Sequence, residues 1–235
     1  AGIIPRGGDF RLTQDAFLFH VLVQAACQCS SKAGDVGTTI YQVSDNDWQQ
    51  WRDWQQEIEP DWVGLRHADL RVLLLDVAAL RLQEPAKQNL HKLSYYVPLE
   101  ADHETLMSEM HSKLVNMEIR ASLIWSIDEL AGTGLLDVLP ASANKRHAIE
   151  FLMKQLGFDL SNTVFAGDSG NDLAVLTSPI RSVLVANASA DVRDEAKQMA
   201  LNLGEMDALY FAHGDFLGMN GNYSAGILEG VAHYM

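Results

Sequence analysis

Residues 164–176 read VFAGDSGNDLAVL, with Asp168 and Asp172 four apart around Ser169, Gly170 and Asn171. Apolar or small residues lead into Gly167, so the pattern predicts a buried strand ending in a glycine-containing turn that opens a helix. Parallel α/β folds place their ligands there, outside the carboxyl ends of the strands. Two carboxylates at that point suit a hard divalent cation, because Mg²⁺ takes oxygen ligands and few of them from protein. A plain Asp-Gly turn with a helix cap would use the same residue types. The six-residue run GDSGND favours metal and phosphate over that simpler reading.

The elements that must position these carboxylates can be read around them. From residue 141 onward the text alternates as a parallel sheet with crossover helices does. ASANKRHAIEFLMKQLG places Ala148, Ile149, Leu152, Met153 and Leu156 on one helical face, with Gly157 where a C-cap belongs. TVFAG then reads as a strand, followed by a helix beginning near Asp172. RSVLVAN reads as a second strand closed by Asn187, and SADVRDEAKQMAL as a helix with Ser189 at its N-cap. The C-terminal NGNYSAGILEGVAHYM starts as a polar loop and continues as an apolar-faced helix. Between about residues 55 and 138 the texture changes. RVLLLDVAALRLQEP, HKLSYYVPL and EIRASLIWSIDE are strand-like runs separated by charged helical text such as ADHETLMSEMHSKLV. This predicts an α/β protein with a Rossmann-like parallel-sheet core, residues 1–54 and 139–235, interrupted by an α+β cap at 55–138.

Composition narrows the function classes. The 235 residues are 48% hydrophobic and 20% charged, as in ordinary globular proteins, and the net charge of −14 disfavours nucleic acid and anionic membranes. No apolar run reaches the roughly 18 residues of a membrane span, and no signal-peptide layout is present, so a cytoplasmic protein is expected. Cys27 and Cys29 are too close for an ordinary bridge and lack a second pair for zinc, and they read as incidental thiols. Trp48, Trp51 and Trp54, three apart, read as a helical stripe packing a core.

GDSGND resembles the fourth motif of haloacid-dehalogenase-like phosphatases. VGTTIY at 36–41, LQEPAKQNLHKLSYYV at 82–97, LDVLPASANKRHAI at 136–149, VLVANA at 183–188 and NGNYSAGILEGVAHY at 220–234 narrow the resemblance to the sucrose-phosphatase-like branch, in that family's order. The resemblance implies an Mg²⁺-dependent phosphatase of a phosphorylated disaccharide such as sucrose-6-phosphate. It makes Asp168 a metal ligand, and Asp172 either joins it through water or orients the site. Lys145 resembles the third-motif lysine, whose ammonium would stabilise charge on a transferring phosphoryl group. Ser169 and Asn171 would bind phosphate or hold the loop. In the cap, Gln83, Glu84, Lys92 and Tyr95 fall in text resembling a sugar-binding face, and Asn187 resembles the family's rim asparagine. Asp137 reads as an anchor at the cap-to-core junction.

The family's nucleophile motif, Asp-x-Asp-x-Thr at the end of the first core strand, is not found, nor is the second-motif threonine or serine. Asp9 and Asp15 end no apolar strand, and Asp76, although preceded by VLLL, has Ala78 where the second aspartate would stand. The nucleophile is therefore unassigned. The resemblance begins abruptly near Val36, as for a truncated or diverged member, and weak metal binding and lowered stability are expected of one. The alternative function is a non-catalytic phosphatase-like domain that binds sugar phosphate or a partner, such as the domain appended to sucrose-phosphate synthases. Association with such a synthase is the one macromolecular partnership that the resemblance implies.

Overall fold

The computed structural model describes residues 37–44 and 47–235. One structural unit ends at Phe151, and the other is formed by Leu152–Met235 among the described residues. Asp9, Asp15, Cys27 and Cys29 lie outside the described residues.

Among the described residues the first unit opens with β1 (Tyr41–Ser44) and β2 (Asp47–Gln50), an antiparallel pair, followed by α1 (Arg52–Ile58) and α2 (His67–Leu73). Strands β3 (Arg81–Leu82) and β4 (Leu93–Val97), helix α3 (His103–Asn116), and strands β5 (Ala121–Asp128) and β6 (Thr133–Pro140) follow. The four strands form one antiparallel sheet in the order β3-β4-β6-β5. The Asp102 carboxylate caps α3 by accepting the Thr105 amide at 3.1 Å. Leu106, Met110 and Leu114, four apart on that helix, join Leu93, Val97, Leu136 and Val138 in a buried core.

Two local expectations are corrected here. RVLLLD is not a strand: Arg71–Leu73 complete α2, and only Arg81 and Leu82 are extended. Asp69 accepts the Arg66 amide at 2.8 Å and closes the first turn. Leu70, Leu74 and Val77 then enter the core at helical spacing, while Val72 and Leu75 face solvent. The tryptophans are not one helical stripe either. Trp48 belongs to β2, where its backbone is paired with Val43, Trp51 precedes α1, and Trp54 alone is helical and fully buried.

Helix α4 (Lys145–Leu156) carries the chain from the first unit into the second. There β7 (Val164–Gly167), α5 (Leu173–Leu176), β8 (Arg181–Leu184), α6 (Ala190–Leu203), β9 (Leu209–Phe211) and α7 (Tyr223–Tyr234) follow in order. The strands are parallel in the order β7-β8-β9, the arrangement that crossover helices require. Ser189 caps α6 by accepting the Val192 amide at 3.3 Å, and Gly204 ends it with φ of 77°. Val183, Val185 and Ala212 form the buried centre of this sheet, with Ile227 and Tyr234 of α7 packed against it. No helix among the described residues is long and apolar enough to cross a membrane.

Candidate active site

The VFAG strand delivers Asp168 to the carboxyl end of β7, where the Asp168–Asp172 turn is built around one buried carboxylate. Asp172 Oδ2 accepts the backbone amides of Asp168 at 3.1 Å and Ser169 at 3.2 Å, and the Ser169 hydroxyl at 3.0 Å. Ser169 and Asp172 thus form a reciprocal capping box on the 3-10 turn Gly170–Asp172 that leads into α5. Gly167 makes this closeness possible, since a Cβ there would lie 2.6 Å from Asp172 Oδ2. Asp172 is 5% exposed, whereas Asp168, Gly170 and Asn171 are exposed. Of the two carboxylates, Asp172 engages the loop and Asp168 projects from it.

Asp168 is oriented by a residue three positions beyond the end of β8. Asn187 Nδ2 donates to Asp168 Oδ2 at 3.1 Å, and Asn187 Oδ1 accepts the backbone amide of Tyr223 at 2.7 Å. Both ends of that amide are occupied, so its rotation is fixed and Asp168 is held in one direction. The sequence pointed to Asp168, Asp172 and Asn187 but not to the partner across the loop. A Gly-Asn pair directly before a helix, at Gly221 and Asn222, was its available signal.

The expected metal can be tested against this donor set. Among the described residues no group of three or more His, Cys, Asp or Glu side chains is gathered to hold an ion. One exposed carboxylate fits Mg²⁺ as part of a ligand set, since that ion keeps several waters and uses one or two protein carboxylates.

Lys145 is the first residue of α4, half-buried, in the first unit. Its approach loop is fixed at several points. Asn144 Oδ1 accepts the His147 amide at 3.0 Å, and Asp61, buried and ion-paired with Arg120, accepts the Ser142 amide at 2.6 Å. His147 Nδ1 lies 2.8 Å from the Ser142 carbonyl and its Nε2 lies 3.2 Å from Glu57.

The four cap residues occupy different settings. Gln83 is buried and donates to the Tyr95 carbonyl at 2.9 Å. It also lines a cleft of about 290 Å³ with His67, Arg71 and Gln88. Glu84 is exposed and accepts the Tyr96 hydroxyl at 2.7 Å, a bond that holds its carboxyl below the usual glutamate range. Lys92, its side chain 3% exposed, lies 3.4 Å from Asp137 Oδ2, and the Ser94 hydroxyl donates to Asp137 Oδ1 at 2.5 Å. Tyr95 lies in the core, and burial pushes its hydroxyl up to about 12. Asp76, exposed, pairs with Lys113 at 2.8 Å, and this bond lowers its pKa. The spacing Asp45-x-Asp47 also occurs, with Gln49 in place of threonine. Asp47 opens β2 of an antiparallel pair, and Asp45 lies outside the described residues.

The family model for sucrose-6F-phosphate phosphohydrolase matches residues 31–235. The chain belongs to that family. A haloacid-dehalogenase-like hydrolase of Nitrosococcus oceani is 55% identical over 86% of this chain and 54% of its own length. The mannosylfructose-phosphate phosphatase of Agrobacterium fabrum is 30% identical over 67% of this chain and 56% of its own. The chain therefore spans about half the length of these two relatives. Among solved structures, the sucrose-phosphatase of Synechocystis sp., in complex with sucrose and phosphate, aligns at a TM-score of 0.60. It is 26% identical, and the match covers 85% of this chain and 72% of that one. A haloacid-dehalogenase-like hydrolase of Bacillus subtilis aligns at 0.53 with 18% identity, covering 97% of this chain and 87% of that one. The fold is that of haloacid-dehalogenase-like hydrolases, with a parallel sheet in one unit and an antiparallel sheet in the other.

Proposed function

We propose that this member of the sucrose-6F-phosphate phosphohydrolase family is an Mg²⁺-dependent phosphatase of a phosphorylated disaccharide resembling sucrose-6-phosphate. The observation that carries the reading is Asp168, projecting from the end of a parallel strand on a loop that Asp172 and Asn187 orient. The family match and the named phosphatases among the relatives support it. When bound, Mg²⁺ would supply positive charge to the phosphoryl oxygens. Asp168 would give it one oxygen ligand, with Asp172 holding the loop, and Ser169 and Asn171 would face the phosphate. Lys145 would place an ammonium against the same charge. Glu84 and Asn187 would meet the sugar, Gln83 would line the cleft beside it, and the buried Lys92 and Tyr95 would support that face from beneath; a synthase of the sugar phosphate is the partner this reading implies.

A second reading has its own observation. No Asp-x-Asp-x-Thr occurs in the 235 residues, so a domain that binds sugar phosphate without turnover uses the same groups. The deciding measurement is phosphate release from sucrose-6-phosphate with Mg²⁺, run beside Asp168→Ala. Release that disappears in the variant supports catalysis. Folded protein that binds sucrose-6-phosphate in calorimetry yet releases no phosphate supports the second reading.

A further inference from the structure

Helix α7 reads GILEGVA, and its single carboxylate, Glu229, is 4% exposed among apolar neighbours. A charge so placed is costly unless it is hydrogen-bonded. Three donors meet it: the Tyr210 hydroxyl at 2.9 Å, the His213 amide at 2.9 Å and the Gly214 amide at 3.0 Å. His213 Nε2 lies 3.7 Å away. Burial pushes the Glu229 carboxyl up, but the two amides and the hydroxyl outweigh it and leave its pKa below the ordinary glutamate value.

Those contacts tie down the loop after β9, and the loop leads back to the candidate site. Gly214 and Gly221 both have positive φ, 97° and 73°, and they meet closely: a Cβ on Gly221 would lie 2.6 Å from the Gly214 nitrogen. The Gly221 carbonyl accepts the Ala186 amide at 2.9 Å, one residue before Asn187. Two residues after Gly221, the Tyr223 amide donates to Asn187, whose other end holds Asp168. Arg193 of α6 fixes the same two loops from another side, donating to the carbonyls of Val185 and Ala212 at 3.3 Å each.

We infer that Glu229 is a positioning residue of the Asp168 site, acting through the 213–221 loop and Asn187. This rests on the reading of Asp168 as a metal ligand, but the route from Glu229 to Asn187 is measurable without the metal. Glu229→Gln keeps the shape and replaces one acceptor oxygen by a donor that faces amide donors. Tyr210→Phe removes the hydroxyl's bond to Glu229 and its contact with His213 Nε2 at 3.3 Å, and leaves the carboxylate in place.

The test combines residue-resolved amide exchange with Mg²⁺ titration calorimetry on the protein and on the Glu229→Gln, Tyr210→Phe, Asn187→Ala and Asp168→Ala variants. The expected result is faster exchange at Ala186 and Tyr223 in Glu229→Gln, with a smaller effect in Tyr210→Phe and no change at the core amide of Leu114. Mg²⁺ binding should weaken roughly tenfold in Glu229→Gln. In the Asn187→Ala background the same substitution should weaken it no further, an outcome that general loosening of the fold would not produce. Unchanged exchange at Ala186 and Tyr223, or an undiminished Mg²⁺ effect without Asn187, overturns the inference. If Glu229→Gln does not fold, the Tyr210→Phe exchange pattern decides in the same way. Equal Mg²⁺ binding by the protein and by Asp168→Ala removes the metal reading, and the exchange arm then decides the route alone.

Discussion

Asp172 and Gly167 depend on each other at the scale of single atoms. The carboxylate receives three hydrogen bonds because nothing larger than hydrogen stands on Gly167. Gly167→Ala should force the Asp172 side chain away and cost about 1–3 kcal/mol, as overpacking does. Denaturant unfolding measures the cost, and a loss below about 0.5 kcal/mol would mean that the loop yields freely. Asp172→Ala removes the third-position carboxylate of the capping box and should cost about 0.5–2 kcal/mol while also weakening Mg²⁺ binding in calorimetry. An unchanged affinity would separate the loop from the metal. The Asp172 contacts were legible in the sequence because Asp172 meets Gly167, Asp168 and Ser169 within five positions. Glu229 was not, since its partners Tyr210, His213 and Gly214 lie 15 to 19 residues away. What a reader could see was a carboxylate inside apolar helical text, which names a residue without naming its partner.

Elements were legible where a local stop signal agreed with the periodicity. Ser189 and Gly204 bracket α6, and Asp102 opens α3. RVLLLD misled because four apolar residues in a row have no period, so helix and strand cannot be told apart there. Strand β9 leaves no pattern in the sequence because three residues are too few to alternate. In the antiparallel sheet, β4 and β6 are joined by more than their ladder. Ser94 stands opposite Asp137, bonds to it, and leaves the second carboxylate oxygen toward the buried Lys92. Asp137→Ala withdraws that carboxylate from a side chain only 3% exposed and should cost on the order of 3 kcal/mol. Asp137→Asn, which keeps an acceptor for Ser94, should cost less. Equal midpoints for the two variants in urea unfolding would show that the charge on Asp137 contributes little.

Across the whole molecule, acid should act on the two units at different pH. In the first unit His91 is 2% exposed, and burial lowers its pKa from 6.5, reinforced by Arg66 and opposed by Glu59. Above 6.5 the folded and unfolded forms are both neutral, so this group contributes no pH dependence. As pH falls below that value the unfolded chain takes up the proton first, and the first unit loses stability until the folded pKa is reached. Glu229, in the second unit, has its pKa lowered from 4.5, so its stabilisation is complete above that value and is lost only as pH drops below it toward the folded pKa. Between pH 6.5 and 4.5, amide protection at Leu93 and Met110 should therefore decline while that at Val183 and Ala212 persists. His91→Phe should remove the upper limb of the decline and Glu229→Gln the lower one. Loss of protection in both units at a single pH would show that neither group sets acid stability, and that the net charge of −14 governs it through the many exposed carboxylates.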